Sequence, residues 1–298
     1  MAMAATRVEG AELIDAKIES PWRIVIERFL RHRLAVLSLV ILATIIVVSL
    51  AAPLLAPYDP NRIVLAEKDN APSIEHLMGT DYNGRDMLSR ILYAGRVSLG
   101  IAFTVVIASG LLGSVLGVIS GFFGGWVDTV LMRIVDFMLT LPLLPILLVL
   151  ITIFSPSIPL LVIVLVLTGW TGTARLVRGQ VLSLREQQFV EASRALGASR
   201  MRIMFGHLIP NSLAPIIVSL TLAVSDVVVA EAALSFLGFG VQPPDASWGN
   251  MLQAVSSTVL EKYPWQAFFP GLMIFLTSLS VNFLGDGLRD ALDPRQRL

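Results

Sequence analysis

Long stretches with few or no charged residues run through the sequence and are separated by polar segments. A helix needs roughly 20 apolar residues to cross the hydrocarbon core of a bilayer. Stretches of this length cover 34–56, 97–127, the interval between Asp136 and Arg175, 210–240 and 263–285. A chain with five such stretches is expected to fold as an all-α integral membrane protein, because helices satisfy their own backbone hydrogen bonds in lipid.

The composition agrees with a membrane setting. Hydrophobic residues make up 55% of the 298 residues and charged residues 15%, against about 25% charged in ordinary soluble domains. The net charge is zero, so no basic field points to nucleic acid. There is no cysteine, which excludes disulfides and thiolate metal sites. Thirty-three mixed-charge residues precede the first apolar run, so we expect a retained anchor rather than a cleavable signal.

Six membrane crossings are expected, because the turn-forming segment 155–159 divides the interval between Asp136 and Arg175 into two helices. With the N-terminus inside, the inner segments hold 16 of the 22 basic residues. The bias of lysine and arginine towards the cytoplasm therefore predicts that both termini are cytoplasmic.

The expected organisation has four parts. Residues 1–33 form a cytoplasmic N-terminal segment, in which Trp22, Ile26 and Phe29 share a helical face suited to the membrane surface; a plain basic flank that fixes topology is the alternative. Residues 34–96 hold the first crossing and an external loop. Residues 97–288 form a core of five helices, and 289–298 form a cytoplasmic tail.

The inner segment between the fourth and fifth crossings has a distinct pattern. Apolar residues recur at helical spacing on both sides of Gly197, which predicts two short helices. Glycine favours the left-handed conformation that ends a helix, and Ser199 can cap the second helix. A helix-turn-helix that binds DNA is excluded by the two flanking crossings. An ordinary structured loop is the simpler alternative to a rigid element that a soluble partner moves.

This segment, at about 186–208, resembles the EAA motif of binding-protein-dependent ABC importer permeases, in which Glu-Ala-Ala is followed by glycine and then Ile-x-Leu-Pro at fixed spacing. Ser193, His207 and Ile209 depart from that pattern. The resemblance implies the type I importer permease fold and a coupling helix that docks on a cytoplasmic ATPase. The residues it implicates in coupling are Glu191, Ala192, Ser193, Leu196, Gly197, His207 and Pro210.

Further stretches at 78–90, 234–244, 247–252 and 282–295 resemble the C-type permease of dipeptide and oligopeptide importers. The resemblance implies a bacterial inner-membrane complex with a second homologous permease, two P-loop ATP-binding subunits and an external substrate-binding protein. ATP and Mg would be bound by the partner subunits and no cofactor by this chain. A nickel or glutathione importer of the same family is the alternative substrate assignment.

Two other classes of function lack support in the sequence. A membrane enzyme would need a catalytic constellation, and the sequence has no HExxH, no Walker-type glycine loop and no serine elbow. A stand-alone channel or ion-coupled carrier would have no need for an ATPase-docking motif, and the two halves show no evident inverted repeat.

Several charged residues were singled out as candidates outside the coupling segment. Asp226 and Glu231 lie in an otherwise apolar run, so we expect them to face the transport route or the second permease. Asp81, Arg85 and Asp86 are expected to contact the external binding protein; a hard metal site with Asn83 and His76 is the weaker alternative, because the spacing fits no EF-hand.

Overall fold

The computed structural model describes residues 21–253, 255 and 257–292. Residues 1–20 of the expected N-terminal segment and 293–298 of the expected tail lie outside the described residues. The described chain is helical, with a 3-10 turn at Leu65–Glu67 in the long first loop and a π turn at Met204–Leu208. In chain order, the helices are α1 (Pro21–Arg31), α2 (Arg33–Leu50), α3 (Ala52–Leu55), α4 (Met87–Phe123), α5 (Gly125–Thr140), α6 (Leu143–Ile153), α7 (Ile158–Leu184), α8 (Gln188–Ala195), α9 (Arg200–Ile203), α10 (Ile209–Phe236), α11 (Trp248–Gln253), α12 (Ser257–Lys262) and α13 (Trp265–Leu292).

Five helical stretches among the described residues are long and apolar enough to cross a membrane. They are α2, α4, α7, the continuous run Arg200–Phe236 that includes α10, and α13. The all-helical membrane architecture expected from the apolar runs is therefore confirmed. Helix α4 contacts α7 most extensively and also packs on α10 and α2, whereas α13 packs on α10 and α2.

The expected third crossing is divided into two shorter helices. Its sequence is uncharged from Phe137 onwards, yet α5 ends at Thr140 and α6 starts only after Pro142. Proline has no backbone N–H to continue the hydrogen-bond ladder. The 11 residues of α6 reach about 16 Å at 1.5 Å per residue, which is short of a bilayer core.

Helix α4 starts ten residues earlier than the uncharged run predicted, at Met87. The side chain of Asp86 caps it by accepting a hydrogen bond from the backbone N–H of Ser89 at 2.7 Å. Arg90 then enters the helix almost completely buried, because Asp81 and the carbonyl of Pro60 lie within reach of its guanidinium.

The two ends of α4 mark two opposite sides of the molecule. At its last turn, the rings of Phe122 and Phe123 lie under the guanidinium groups of Arg194 and Arg200 from the segment around α8. At its start lies the first loop. The 37 residues of α4 make it about 55 Å long. We call the two sides of the molecule at its ends the α8 side and the first-loop side.

A row of glycines brings α4 and α7 into backbone contact. Gly113, Gly117 and Gly121 face α7, and a Cβ on them would lie 2.5 Å from the carbonyl oxygen of Trp170, 2.6 Å from that of Ala174 and 2.9 Å from that of Arg178. No residue with a side chain fits at these distances. Such small-residue spacing is a common way for membrane helices to pack closely.

Ion pairs fasten α5 to α7. Arg178 holds Asp128 with two contacts of 2.5 and 2.6 Å, and Arg175 lies 2.6 Å from Asp136. Arg133 lies three positions before Asp136 on the same helix, a spacing at which side chains can meet. The structure instead gives Asp136 a partner 39 residues further along the chain, which the spacing within one helix cannot reveal.

Candidate functional site

Helix α8 is a two-turn helix with a well-formed C-terminus. The N–H of Ala198 donates to the carbonyl of Ser193 at 3.0 Å and that of Gly197 to the carbonyl of Arg194 at 2.9 Å, the pattern of a glycine-terminated helix. Gly197 has φ +78°, so its backbone lies in the left-handed region. Ser199 caps the following turn through the N–H of Arg202. Both local signals predicted from the sequence are confirmed.

One face of α8 is anchored to the helical body and the rest projects from it. Val190 is fully buried and packs in a cluster with Val118 of α4, Val177 of α7 and Met204 of the π turn. Arg194 stacks on Phe122. Glu191 and Ala192 are exposed, because they point away from the face that carries Val190 and Arg194.

Large apolar side chains are exposed along this projecting surface. Leu196 is 89% exposed, and Phe189, Met201 and Phe205 are exposed to between 39% and 61%. Contiguous exposed apolar groups are typical of sites that bind another protein. Helix α8 and the residues that follow it therefore form a projecting, partly apolar surface at the end of α7.

The second short helix predicted after Gly197 is not a separate element. Helix α9 continues through the π turn directly into α10, so that Arg200–Phe236 forms one 37-residue stretch. His207 lies in the π turn and is half-buried, and Pro210 follows that turn directly at the start of α10. A helix–turn–helix pattern cannot distinguish a separate helix from the start of a crossing.

Glu231 lies inside the chain at the first-loop end of α10. Its side chain is fully buried and accepts hydrogen bonds from Ser98 of α4 at 3.0 Å and Ser235 at 2.7 Å. The hydroxyl oxygen of Ser98 also accepts a hydrogen bond from the backbone N–H of Trp248 at 3.2 Å. Glu231 thus connects α4, α10 and the segment before α11, and in this conformation it does not reach the molecular surface.

Asp226, five residues earlier, is exposed on α10. It makes no hydrogen bond or ion pair with any residue that the structure describes. Val229 and Phe236, further along the helix, are also exposed. A charged carboxylate on a membrane-spanning helix usually faces a wet cavity or a partner, so Asp226 marks the side of α10 where either is expected.

The three charged residues singled out in the first loop are largely buried. Asp81 is 6%, Arg85 8% and Asp86 3% exposed. Asp81 accepts from Arg85 Nε at 2.7 Å. Asp86 caps α4 and contacts His76 at 2.9 Å. These bonds fold the loop onto the start of α4, and among the described residues no cluster is suited to hold a metal ion.

Sequence reasoning missed two partners of the buried carboxylate, Ser98 and Ser235, and also Trp248, whose backbone N–H binds Ser98 rather than Glu231. Ser98, Ser235 and Trp248 carry no signal as isolated residues. Ser235 is four positions after Glu231 on one helix face, which is the spacing of side chains that meet. Ser98 is 133 residues distant and had no local signal.

The fold defines the chain as a helical membrane protein with a projecting, partly apolar helix at the end of α7. Comparison with known families gives the same class. Residues 113–298 match the family model "Binding-protein-dependent transport system inner membrane component", and residues 20–72 match "N-terminal TM domain of oligopeptide transport permease C". The chain belongs to this family of inner-membrane transport components.

Individual relatives extend over nearly the whole chain. A protein of Brucella suis biovar 1, named only provisionally as a peptide permease, is 46% identical over 272 residues, covering 91% of this chain and 90% of the relative. The oligopeptide transport system permease protein OppC of Bacillus subtilis is 40% identical over 294 residues, or 99% and 96% of the two chains. The dipeptide transport system permease protein DppC of Alkalihalophilus pseudofirmus is 40% identical over 278 residues, or 93% and 91%.

Proposed function

We propose that this chain is a permease subunit of an ATP-driven importer that moves dipeptides or oligopeptides into the cytoplasm. The observation that carries the proposal is α8: an anchored, projecting helix, with the motif of ATPase-coupled permeases, at the end of α7. The names of the relatives support a peptide cargo. The partners are a second homologous permease, two P-loop ATPases and an external substrate-binding protein. The chain itself is a non-catalytic subunit, with ATP and Mg held by the ATPases.

The proposed topology has six crossings with both termini in the cytoplasm. Helix α5 begins at the α8 side after α4, whereas Ile158, at the start of α7, lies beside Arg96 and Val97 near the first-loop end of α4. The α5–α6 pair between them therefore serves as the remaining crossing, with its break at Leu141 and Pro142. The core is 97–288, and the α8 side is cytoplasmic.

Coupling runs through α8 in this proposal. Glu191, Ala192 and Leu196 contact the ATPase, Ser193 and Gly197 shape the end of the helix, and His207 and Pro210 join the docking segment to α10. When the ATPases close on nucleotide, they move α8 and with it the helices to which it is attached. The helices then rearrange between inward- and outward-facing states.

Replacement of Leu196 by Ser is expected to weaken binding of the ATPase subunits by roughly tenfold or more, because burying a leucine side chain is worth about 1.5–3 kcal/mol. The affinity is measured by titrating purified ATPase onto the two permeases in nanodiscs. Ile74, 96% exposed in the first loop, gives the matched control: Ile74→Ser removes the same chemistry on the opposite side and leaves the affinity unchanged. Equal affinities for both variants would contradict docking at Leu196.

Replacement of Asp226 by Asn is expected to lower peptide uptake severalfold, because it removes the one exposed carboxylate described on α10. Its effect on assembly separates the two locations proposed for it. An intact complex with slow uptake places Asp226 on the transport route, whereas loss of the second permease on gel filtration places it in the interface between permeases. Normal uptake by an intact complex would contradict both roles.

The proposal as a whole is tested by tagged purification from native membranes in mild detergent, followed by mass spectrometry and uptake assays in proteoliposomes. Recovery of two P-loop ATPases and a second permease, with ATP-dependent uptake of labelled peptides, is the expected result. Uptake of nickel or glutathione instead of peptides would change the substrate assignment but leave the proposed importer mechanism in place. Recovery of the chain alone in several detergents would overturn the importer assignment.

A further inference from the structure

A polar cavity lies where the first loop meets α4, the segment around α11 and the start of α13. Its volume is about 500 Å³, within the range of roughly 300–1,000 Å³ usual for small-ligand sites. Apolar side chains of Met87, Pro243 and Met251 form part of its wall. The polar part consists of Asp81, Tyr82, Arg85, Arg90, Asn250, Gln253 and Gln266.

The charges lining this cavity do not balance. The side chains of Arg85 and Arg90 are only 10% and 5% exposed, and both depend on the same carboxylate: the Nε atoms lie 2.7 and 3.7 Å from Asp81 Oδ2. Asp81 is the only carboxylate among the lining residues that the structure describes. Asp69, behind Gln266, has Lys68 as its own partner at 3.9 Å. One positive charge is therefore left without a counter-charge.

The donors of Arg85 are also mostly unused. Its Nε is bonded to Asp81, while its terminal Nη atoms make no hydrogen bond within the described part of the chain. The guanidinium lies 5.5 Å from the ring of Tyr82, which limits how it can turn. Its planar fork suits a two-point contact with a carboxylate, and a buried cation without a counter-ion is unfavourable until one arrives.

We propose that this cavity is a binding site for a carboxylate group presented from the first-loop side, with Arg85 as the principal contact. Arg90 supplies a second positive charge, and the side-chain amide of Gln253, exposed and without a partner among the described residues, is an additional donor at the rim. The apolar wall accommodates the part of the ligand next to its carboxylate. The same carboxylate chemistry is offered by the C-terminus of a free peptide and by an acidic side chain of the external binding protein.

Two substitutions with opposite expected effects test the site. Arg85→Gln removes the excess positive charge and is expected to weaken carboxylate binding about tenfold or more, as for loss of a charge-assisted hydrogen bond. Asp81→Asn removes the competing carboxylate while its remaining oxygen still accepts the N–H groups of Asn83 and Arg85 that shape the turn. Asp81→Asn is expected to tighten binding. If Arg85 were only a structural partner of Asp81, both variants would bind alike or both more weakly.

The measurement is isothermal titration of the assembled permease complex in nanodiscs of zwitterionic lipid. The first probe is the dipeptide alanylalanine, compared with its C-terminal amide, which has no carboxylate. The second probe is the purified external binding protein. Thermal unfolding of each variant complex is measured in parallel, and if Arg85→Gln unfolds early it is replaced by Arg85→Lys, which keeps the charge and loses the fork.

Each outcome decides the proposal. If alanylalanine binds, its amide does not, and the two variants shift the affinity in opposite directions, a free peptide is the source. If only the binding protein responds in this way, its acidic side chain is the source. Equal binding of acid and amide together with unchanged affinity for the binding protein, or weaker binding in both variants, overturns the proposal. Because the readout is binding and not uptake, failure here leaves the importer assignment standing.

Discussion

Replacement of Gly197 by Val is expected to abolish most ATP-driven uptake while the permease still inserts and assembles. Gly197 has φ +78°, a conformation that costs an ordinary L-residue roughly 1–2 kcal/mol and a β-branched residue more. No atom lies within 4 Å of the position of its Cβ, so the effect comes from the backbone alone. Relaxing that strain removes the hydrogen bond from Ala198 to Ser193 and moves Leu196 away from its docking position.

The expected pattern in proteoliposomes is uptake reduced about tenfold or more, with ATP hydrolysis continuing but no longer linked to transport. Gly197→Asn is the matched control, because asparagine tolerates the left-handed conformation. It should retain most of the uptake. Gly197→Asp, which adds charge to the same turn, is expected to uncouple hydrolysis from uptake as well. Transport at the wild-type rate by the valine variant would show that the end of α8 has no coupling role.

Replacement of Glu231 by Ala is expected to destabilise the fold by about 2–4 kcal/mol, because it leaves a cavity and removes the acceptor of buried hydroxyl groups. Ser98 and Ser235 would each lose a bond of 3.0 or 2.7 Å, and the contact of Ser98 with Trp248 would lose its support. Thermal unfolding of the purified complex in detergent measures the effect.

The control for Glu231 is Asp226→Ala, which deletes a carboxylate from the same helix at an exposed position. If Asp226 lies on the transport route, this variant unfolds at the wild-type temperature even though its uptake is reduced. The two variants thus distinguish the roles of the two carboxylates. Glu231→Ala lowers the stability of the complex, whereas Asp226→Ala lowers its transport rate. A stable Glu231→Ala complex with a specific loss of peptide binding would instead return Glu231 to the transport route.

The features that the sequence predicted correctly depend on residues close together in the chain. The end of α8 follows from Gly197 and Ser199, each of which acts within a few residues of its position. The membrane helices follow from the length of the apolar runs. In both cases the physical cause is local, so a single sequence contains it.

The features that the sequence did not predict depend on partners far away in the chain. Asp226 and Glu231 look alike in the sequence, and only the packing of Ser98 against Glu231 shows that one is buried and the other exposed. The same holds for Asp136, whose partner is on α7. The break before α6 was missed because an uncharged run looks continuous even where Pro142 interrupts the helix.

The glycine row between α4 and α7 has a mechanical consequence. The backbones are in contact at Gly113, Gly117 and Gly121. Sliding or separate rotation would break this close packing, so we expect the two helices to tilt as one unit. Helix α8 is attached at one end of the α4–α7 pair, and Arg85 lies beside the other end. Over about 55 Å, a tilt of about 5° at the α8 side moves the opposite end by about 5 Å. A small displacement of α8 by the ATPase would thus be transmitted along α4 and α7 and would move their ends at the first-loop side.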